Sequence, residues 1–421
     1  MKKNQALIIT GNLVYLAAQW ALSVIVVRLS DDYYMAGLLG LALTITNIFY
    51  IIACYGMRSF QVSDVQRIYS DQCYTLSRVI TVAIALIVCL FYSMLKGYNA
   101  DEFGAIAIYM IYKCFEAVSD VLYGVFQIND CYGKLCVSMC IKGIGSVAVF
   151  TILLATRGSI ILGLIGMCVV ALITCVFLDL RWAKKIVDPL ITFSKSNLKD
   201  TFRLLSVSFP MLILLIAQPL LMSIPRLYFE QNYSVEQLGI YSSLSSPTMV
   251  ITTFVSCAMM PYVPLFARYY YEKNHKGLYK LTFGSVILAA CFGALAYLVG
   301  GWIGEWGLAL LYGSSIRGYI NVFKLIIIVS TLSSITMCLN ALFTAIRKLI
   351  SLSVVLMMGC VLCYLITPQI IDAYQMSGVT YALMVAQLFQ IVLACILAVI
   401  FIHNIRITDI NKSTEVRNGS L

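Results

Sequence analysis

GSIILGLIGMCVVALITCVFLDLRWAKK, residues 158–185, decides the class of this chain. Its apolar run, 158–180, matches the roughly 20 residues a helix needs to cross a hydrocarbon core of about 30 Å. No polar face interrupts it, as one would in a helix lying on a water-facing core. It stops at Arg181, Lys184 and Lys185, a basic cluster of the kind that stays on the cytoplasmic side of a membrane.

The same pattern repeats on both sides. Spans are expected near 6–28, 34–56, 79–95, 103–127, 135–156 and 158–180, and again near 202–224, 238–260, 281–303, 318–345, 349–367 and 376–402. The chain is 61% hydrophobic and 11% charged, too little charge to cover a soluble surface. The expected fold is an all-α polytopic membrane protein of about twelve transmembrane helices in two six-helix bundles. Pro210, Pro219 and Pro247 each remove a backbone donor, so bends are expected there. Met1-Lys2-Lys3 opens like a signal peptide, but the apolar stretch after it is too long and lacks a small-x-small site. Residues 6–28 are read as a retained helix.

Lys and Arg set the orientation. With the N-terminus inside, the inner segments carry twenty-one of the 29 basic residues; the outer side holds six, Arg28, Lys96, Arg157, Arg226, Arg317 and Lys324. Both termini are therefore expected in the cytoplasm, and the net charge of +10 is a topology signature with no nucleic-acid partner implied. The fifteen cysteines lie mostly in apolar runs, where Cys acts as a small hydrophobe. Cys360-x-x-Cys363 has no His or acid nearby, so neither metal nor cofactor is expected.

The longest inner connection, 181–201, divides the chain into an N-terminal half (1–180) and a C-terminal half (202–405), followed by a cytoplasmic tail (406–421). The halves echo each other. Gln19 to Arg28 resembles Gln218 to Arg226; acids follow (Asp31, Asp32; Glu230, Glu236), then a glycine at the next helix start (Gly37 or Gly40; Gly239). Paired parallel repeats mark alternating-access carriers, with the substrate site between the halves. The plainer account is that helix ends favour Arg at the interface. The longest outer connection, 225–237, is about thirteen residues, and no catalytic-size soluble domain is present. An enzyme is not expected.

Charges inside spans are expensive, about 2.5–3.5 kcal/mol each at the bilayer centre on insertion scales. Lys113, Glu116 and Asp120 fall within about 60° of one another on the fourth span, and Lys142 lies two turns into the fifth. Two readings stay open. Lys113 and Glu116 neutralise each other and lock the helix to a neighbour; or Lys113 and Lys142 line a wet cavity for an anionic substrate, with Glu116 or Asp120 balancing charge or carrying a coupling proton. Arg28 and Arg226, near the outer mouth, either grip a phosphate or snorkel to headgroups. Polar residues such as Asn12, Gln19, Thr44 and Gln218 suit a hydrated lumen or interhelical hydrogen bonds equally.

The run Arg226-Leu-Tyr-Phe-Glu-Gln-Asn-Tyr-Ser-Val-Glu-Gln-Leu-Gly-Ile-Tyr241 resembles the outer loop after helix seven in polysaccharide-repeat flippases of the multidrug/oligosaccharidyl-lipid/polysaccharide exporter superfamily. Pro247, Pro261-Tyr-Val-Pro264, Gly11-Asn12 through Val27-Arg28-Leu29, and Leu311-Tyr312-Gly313 extend the likeness over nearly the whole chain; Leu238-Gly239-Ile240-Tyr241 is its most specific part. The resemblance implies two six-helix bundles in a bacterial cytoplasmic membrane. It implies transport of an undecaprenyl-pyrophosphate-linked oligosaccharide from the inner to the outer leaflet for surface polysaccharide such as O-antigen. It also implies a cationic cavity, for which Arg28, Lys113, Lys142 and Arg226 are the candidates, and neighbours such as a polysaccharide polymerase and chain-length machinery. Two rivals remain. A cation-coupled multidrug exporter of the same superfamily usually needs an acid in helix one or seven, and 6–28 and 202–224 have none. A membrane oligosaccharide polymerase would want a large outer loop, and the only histidines, His275 and His403, are on the inner side.

Overall fold

In hydrocarbon every backbone N–H and C=O must find a partner within the chain, which leaves helices or closed barrels. The computed structural model is helical throughout: it describes residues 2–30, 32–64, 66–191, 194–259 and 262–418, with the side chains of 2–6 and 404–418 excepted, and no strand occurs among them. Met1, Asp31 and Pro261, and the side chains of Lys2, Lys3, Arg406, Lys412 and Arg417, carried part of the expectations above and lie outside what is described.

The long helices are α1 (Lys2–Leu29), α2 (Tyr34–Cys54), α3 (Asp71–Lys96), α4 (Ala100–Ile128) and α5 (Tyr132–Arg157). They continue as α6 (Ile160–Lys184), α7 (Lys195–Asn232), α8 (Val235–Met259), α9 (His275–Trp302) and α10 (Ser314–Ala345). A final helical stretch, Leu349–Asn418, breaks at Gln375 (φ 51°, ψ −129°) into α11 (349–374) and α12 (376–418). Among the described residues nine helices are long and apolar enough to cross a membrane, or ten with the bent pair Val235–Met259 and Tyr262–Tyr271 counted as one span. The Gln375 break divides the last of these in two. The twelfth is α4, which Asp101, Glu102, Lys113, Glu116 and Asp120 keep out of that count. Twelve spans are reached only by admitting the charged helix.

Local chemistry sets the ends. The Ser70 hydroxyl accepts from the Cys73 N–H at the start of α3, and Asn99 with Glu102 forms a reciprocal capping box on α4 (both bonds 2.9 Å). Gly97 (φ 70°) ends α3 in the left-handed conformation that glycine adopts without a Cβ penalty. Three expectations need correction. Helix α3 starts at Asp71, not near 79, because the Ser70 cap supplies a stop the hydropathy profile ignores. Helix α7 passes through Pro210, Pro219 and Pro225 to Asn232, so the thirteen-residue outer connection shrinks to residues 233–234, and continuing the helix buries Phe229 and Glu230. The 181–201 connection is helical at both ends, to Lys184 and from Lys195, where Ser194 caps Asn197 N–H (3.1 Å).

Contacts gather the chain into two compact units, Met1–Ser243 and Leu244–Leu421. In the first, α4 is the hub, packed against α2, α3, α5 and α6, while α1 runs along α5 and α7 along α2 and α3. The first turns of α8 belong here. A Cβ on Gly37 would lie 2.0 Å from the Val235 carbonyl oxygen, and one on Gly239 2.2 Å from the Tyr33 carbonyl oxygen, so these glycines let α2 and α8 touch backbone to backbone. In the second unit α10 is the hub, packed against α9, the later turns of α8 and the Leu349–Asn418 stretch. Its interior is apolar with neutral polar links, such as Gln387 Nε2 to Ser333 Oγ (2.8 Å) and Ser330 to Thr248 (2.8 Å). Its one ion pair among the described residues, Arg268–Glu272 (2.7 Å), is exposed. Among the described residues, buried charge is confined to the first unit.

Candidate functional site

The hub helix carries the charge. Because Lys113, Glu116 and Asp120 recur at helical spacing, they face one side of α4, and its neighbours supply partners. Lys113 Nζ donates to Glu116 Oε2 (2.7 Å) and lies 5.0 Å from the Tyr50 ring centroid and 5.5 Å from those of Tyr109 and Tyr112. The Tyr15 hydroxyl of α1 donates to Glu116 Oε1. Gln19, one turn along α1, donates to the Tyr112 hydroxyl (3.1 Å) and accepts from that of Tyr109 (3.2 Å).

A second cluster sits toward the C-terminal end of α4. Asp120 accepts from Arg78 of α3 at Oδ2 (2.8 Å) and from Arg58 of the short helix Met57–Ser63 at Oδ1 (3.4 Å). Arg78 is wholly buried and also donates to the Ala53 carbonyl that ends α2 (2.7 Å). Arg58 reaches Gln127 (3.4 Å) and lies 5.7 Å from the Tyr123 ring centroid. A third cluster joins α5 and α6. Lys142 Nζ donates to Ser119 Oγ (2.6 Å) and the Tyr123 hydroxyl (3.2 Å), with Asp179 Oδ2 at 3.6 Å.

Four cations (Arg58, Arg78, Lys113, Lys142) thus meet three carboxylates (Glu116, Asp120, Asp179), leaving one net positive charge among these described groups. Removing one partner of a buried pair typically costs about 3–5 kcal/mol. The cation that stays wet is Arg58. Its side chain and that of Asp120 are 23% and 22% exposed, and with Tyr50, Ser59 and Gln127 they line a cavity of about 550 Å³. That is room for a polar group in company with water, which takes about 30 Å³ per molecule in the liquid.

Of the sequence candidates, Lys113, Glu116, Asp120 and Lys142 fall in this system. Arg28 does not: it ends α1 thirteen residues beyond Tyr15, about 20 Å along the axis. Arg226 stands on α7, 5.4 Å from the Tyr241 ring centroid of α8. Sequence reading missed Arg58, Arg78, Tyr15 and Asp179 as site residues. The signal for Arg78 exists, two turns into a capped helix, but the span expected from hydropathy begins one residue after it. No group of three metal-ligating side chains occurs among the described residues.

Comparison with known proteins follows the same outline. The family described as polysaccharide biosynthesis protein matches residues 1–270, well over half of the chain and all of the charged unit. The chain belongs to this polysaccharide biosynthesis family. A capsular polysaccharide biosynthesis protein, CapF of Staphylococcus aureus, is 22% identical over 327 residues, 78% of this chain and 81% of that protein. Among solved structures, an inward-facing multidrug resistance MATE family transporter of the MOP superfamily aligns with a TM-score of 0.73 at 16% identity, covering 94% of this chain and 96% of the other. The lipid II flippase MurJ, in an inward closed conformation, aligns at 0.70 and 11% identity over 97% and 93%. These two likenesses show the fold. Membership in the polysaccharide biosynthesis family comes from the sequence match, which includes Arg58, Arg78 and all of α4.

Proposed function

We propose that this protein is a flippase that moves undecaprenyl-pyrophosphate-linked oligosaccharide units from the inner to the outer leaflet of a bacterial cytoplasmic membrane by alternating access. Its N- and C-termini stay in the cytoplasm, and its product feeds a surface polysaccharide, O-antigen or capsule. A polymerase and chain-length machinery would act next. The observation that carries the reading is the Arg58–Asp120 cavity in a unit that belongs to a polysaccharide biosynthesis family. A sugar headgroup on pyrophosphate cannot cross hydrocarbon unaided, and Arg58 is an accessible guanidinium suited to a phosphate oxygen pair. Lys113 and Lys142 set the positive background behind it, while Glu116 balances Lys113. Arg28 and Arg226 are proposed as secondary contacts nearer the outer mouth.

The test is export in proteoliposomes loaded on the inner leaflet with a lipid-linked oligosaccharide, read by its accessibility to an external lectin. The wild-type chain should raise external accessibility and Arg58→Ala should not. Efflux of a cationic dye with no lectin signal would favour a drug exporter instead, and conversion of the lipid-linked sugar to longer chains a polymerase.

A further inference from the structure

The three carboxylates of these clusters, Glu116, Asp120 and Asp179, are not equivalent. Glu116 has one oxygen bonded to Lys113 and the other to the Tyr15 hydroxyl. Asp120 has each oxygen bonded to an arginine. Asp179 is fully buried, and neither of its oxygens has a well-formed hydrogen bond, although Ser119, Ser138 and Lys142 stand close to it. Its ionic neighbour among the described residues, Lys142, stands at 3.6 Å and makes its short bonds to Ser119 and Tyr123. A carboxylate offers about four lone-pair sites, and leaving them poorly satisfied away from water is costly. The same group with a proton on one oxygen becomes a donor, and the Ser119 and Ser138 hydroxyls face it.

The backbone singles out the same place. Asp179 lies in Thr174–Leu180, the π-helical stretch of α6, a geometry that is rare and frequently found at functional positions. A route to it is present. The Tyr123 ring lies under Arg58, which lines the cavity, and the Tyr123 hydroxyl is 2.8 Å from Ser138 Oγ and 3.2 Å from Lys142 Nζ.

We propose that Asp179 is the group through which this unit binds and releases a proton, in place of Glu116 or Asp120. A hydronium in the cavity gives its proton to the Asp179 carboxylate, which becomes a carboxylic acid; Lys142 remains an ammonium, and the unit gains one positive charge until the proton leaves by the reverse step. The groups facing Asp179 are Ser119 and Tyr123 on α4, with Glu116 beyond them, Ser138 and Lys142 on α5, and Cys175 on α6 itself. The assignment deepens the carrier reading, since a bound proton is what a gradient would act on, but its test needs no substrate.

Full-length protein in lipid nanodiscs is compared by infrared difference spectroscopy between acid and alkaline buffers. The wild type should show the carbonyl band of a buried protonated carboxyl. Asp179→Asn should lose that band entirely; Glu116→Gln and Asp120→Asn should keep it. Should Asp179→Asn fail to fold, the Lys142→Gln/Asp179→Asn pair, which removes both charges, should fold and lack the band. A band that survives in either Asp179 variant, or that disappears in Glu116→Gln or Asp120→Asn, overturns the assignment. Its loss in Asp179→Asn stands whatever the lectin assay returns.

Discussion

Lys113 is held by one carboxylate and three tyrosine rings, which makes it a part of the packing as much as a charge. Lys113→Met should destabilise the protein by about 3–5 kcal/mol because Glu116 is left buried without its cation. Lys113→Met/Glu116→Leu should recover most of that loss, a non-additivity that a double-mutant cycle of thermal unfolding in detergent will measure. Outside the membrane spans, Asp64 closes the turn after Met57–Ser63. It accepts from the N–H groups of Ile68 (3.0 Å) and Tyr69 (3.1 Å) and from the Tyr74 hydroxyl (3.0 Å). Partial burial opposes ionisation, but these donors and Arg67 outweigh it and hold the carboxyl below the usual range. The folded value being the lower one, Asp64 contributes stability above its unfolded pKa and loses it as pH falls through the folded value. Asp64→Asn should therefore lower the melting temperature at neutral pH, with the gap closing in acid.

Along one helix the sequence was informative, and across helices it was not. Lys113, Glu116 and Asp120 could be placed on one face because helical periodicity is local. Their partners Tyr15, Arg58 and Arg78 are 101, 62 and 42 residues away in sequence, and no pattern encodes such pairings. Asp179 was hidden at the end of an apolar run, where an acid reads as interfacial. The glycines were legible as positions and not as contacts. Gly37 and Gly239 stood out as helix-start glycines, and the structure turns them into a crossing where a Cβ on either would meet a carbonyl oxygen within 2.2 Å. Gly239→Ala should cost about 1–3 kcal/mol by overpacking, measured by thermal unfolding. Gly284→Ala, whose new carbon meets nothing within 4 Å, is the matched control and should be neutral or stabilising.

For the whole molecule the twelve-span count was legible because spans are long and apolar, and it failed only in detail where caps and prolines act. The confinement of buried ion pairs, among the described residues, to Met1–Ser243 was not foreseen, since the two halves look alike in hydropathy. If that unit holds the headgroup, Arg58→Ala should abolish surface polysaccharide in cells that depend on this chain while protein amount stays level, and Arg58→Lys should restore only part of it, because a lysine offers a point charge and no fork. The charged hub also bears on how the protein is made. Three ionisable groups at about 2.5–3.5 kcal/mol apiece bar α4 from entering lipid alone. By the time the ribosome delivers it, Tyr15, Arg58 and Arg78 are already synthesised, whereas Lys142 and Asp179 have yet to appear. Biogenesis must then run through a waiting partner: α4 leaves the translocon against α2 and α3, with Arg78 receiving Asp120 on arrival. In an Arg78→Ala chain, a glycosylation tag beside α4 should report that helix stranded outside the bilayer.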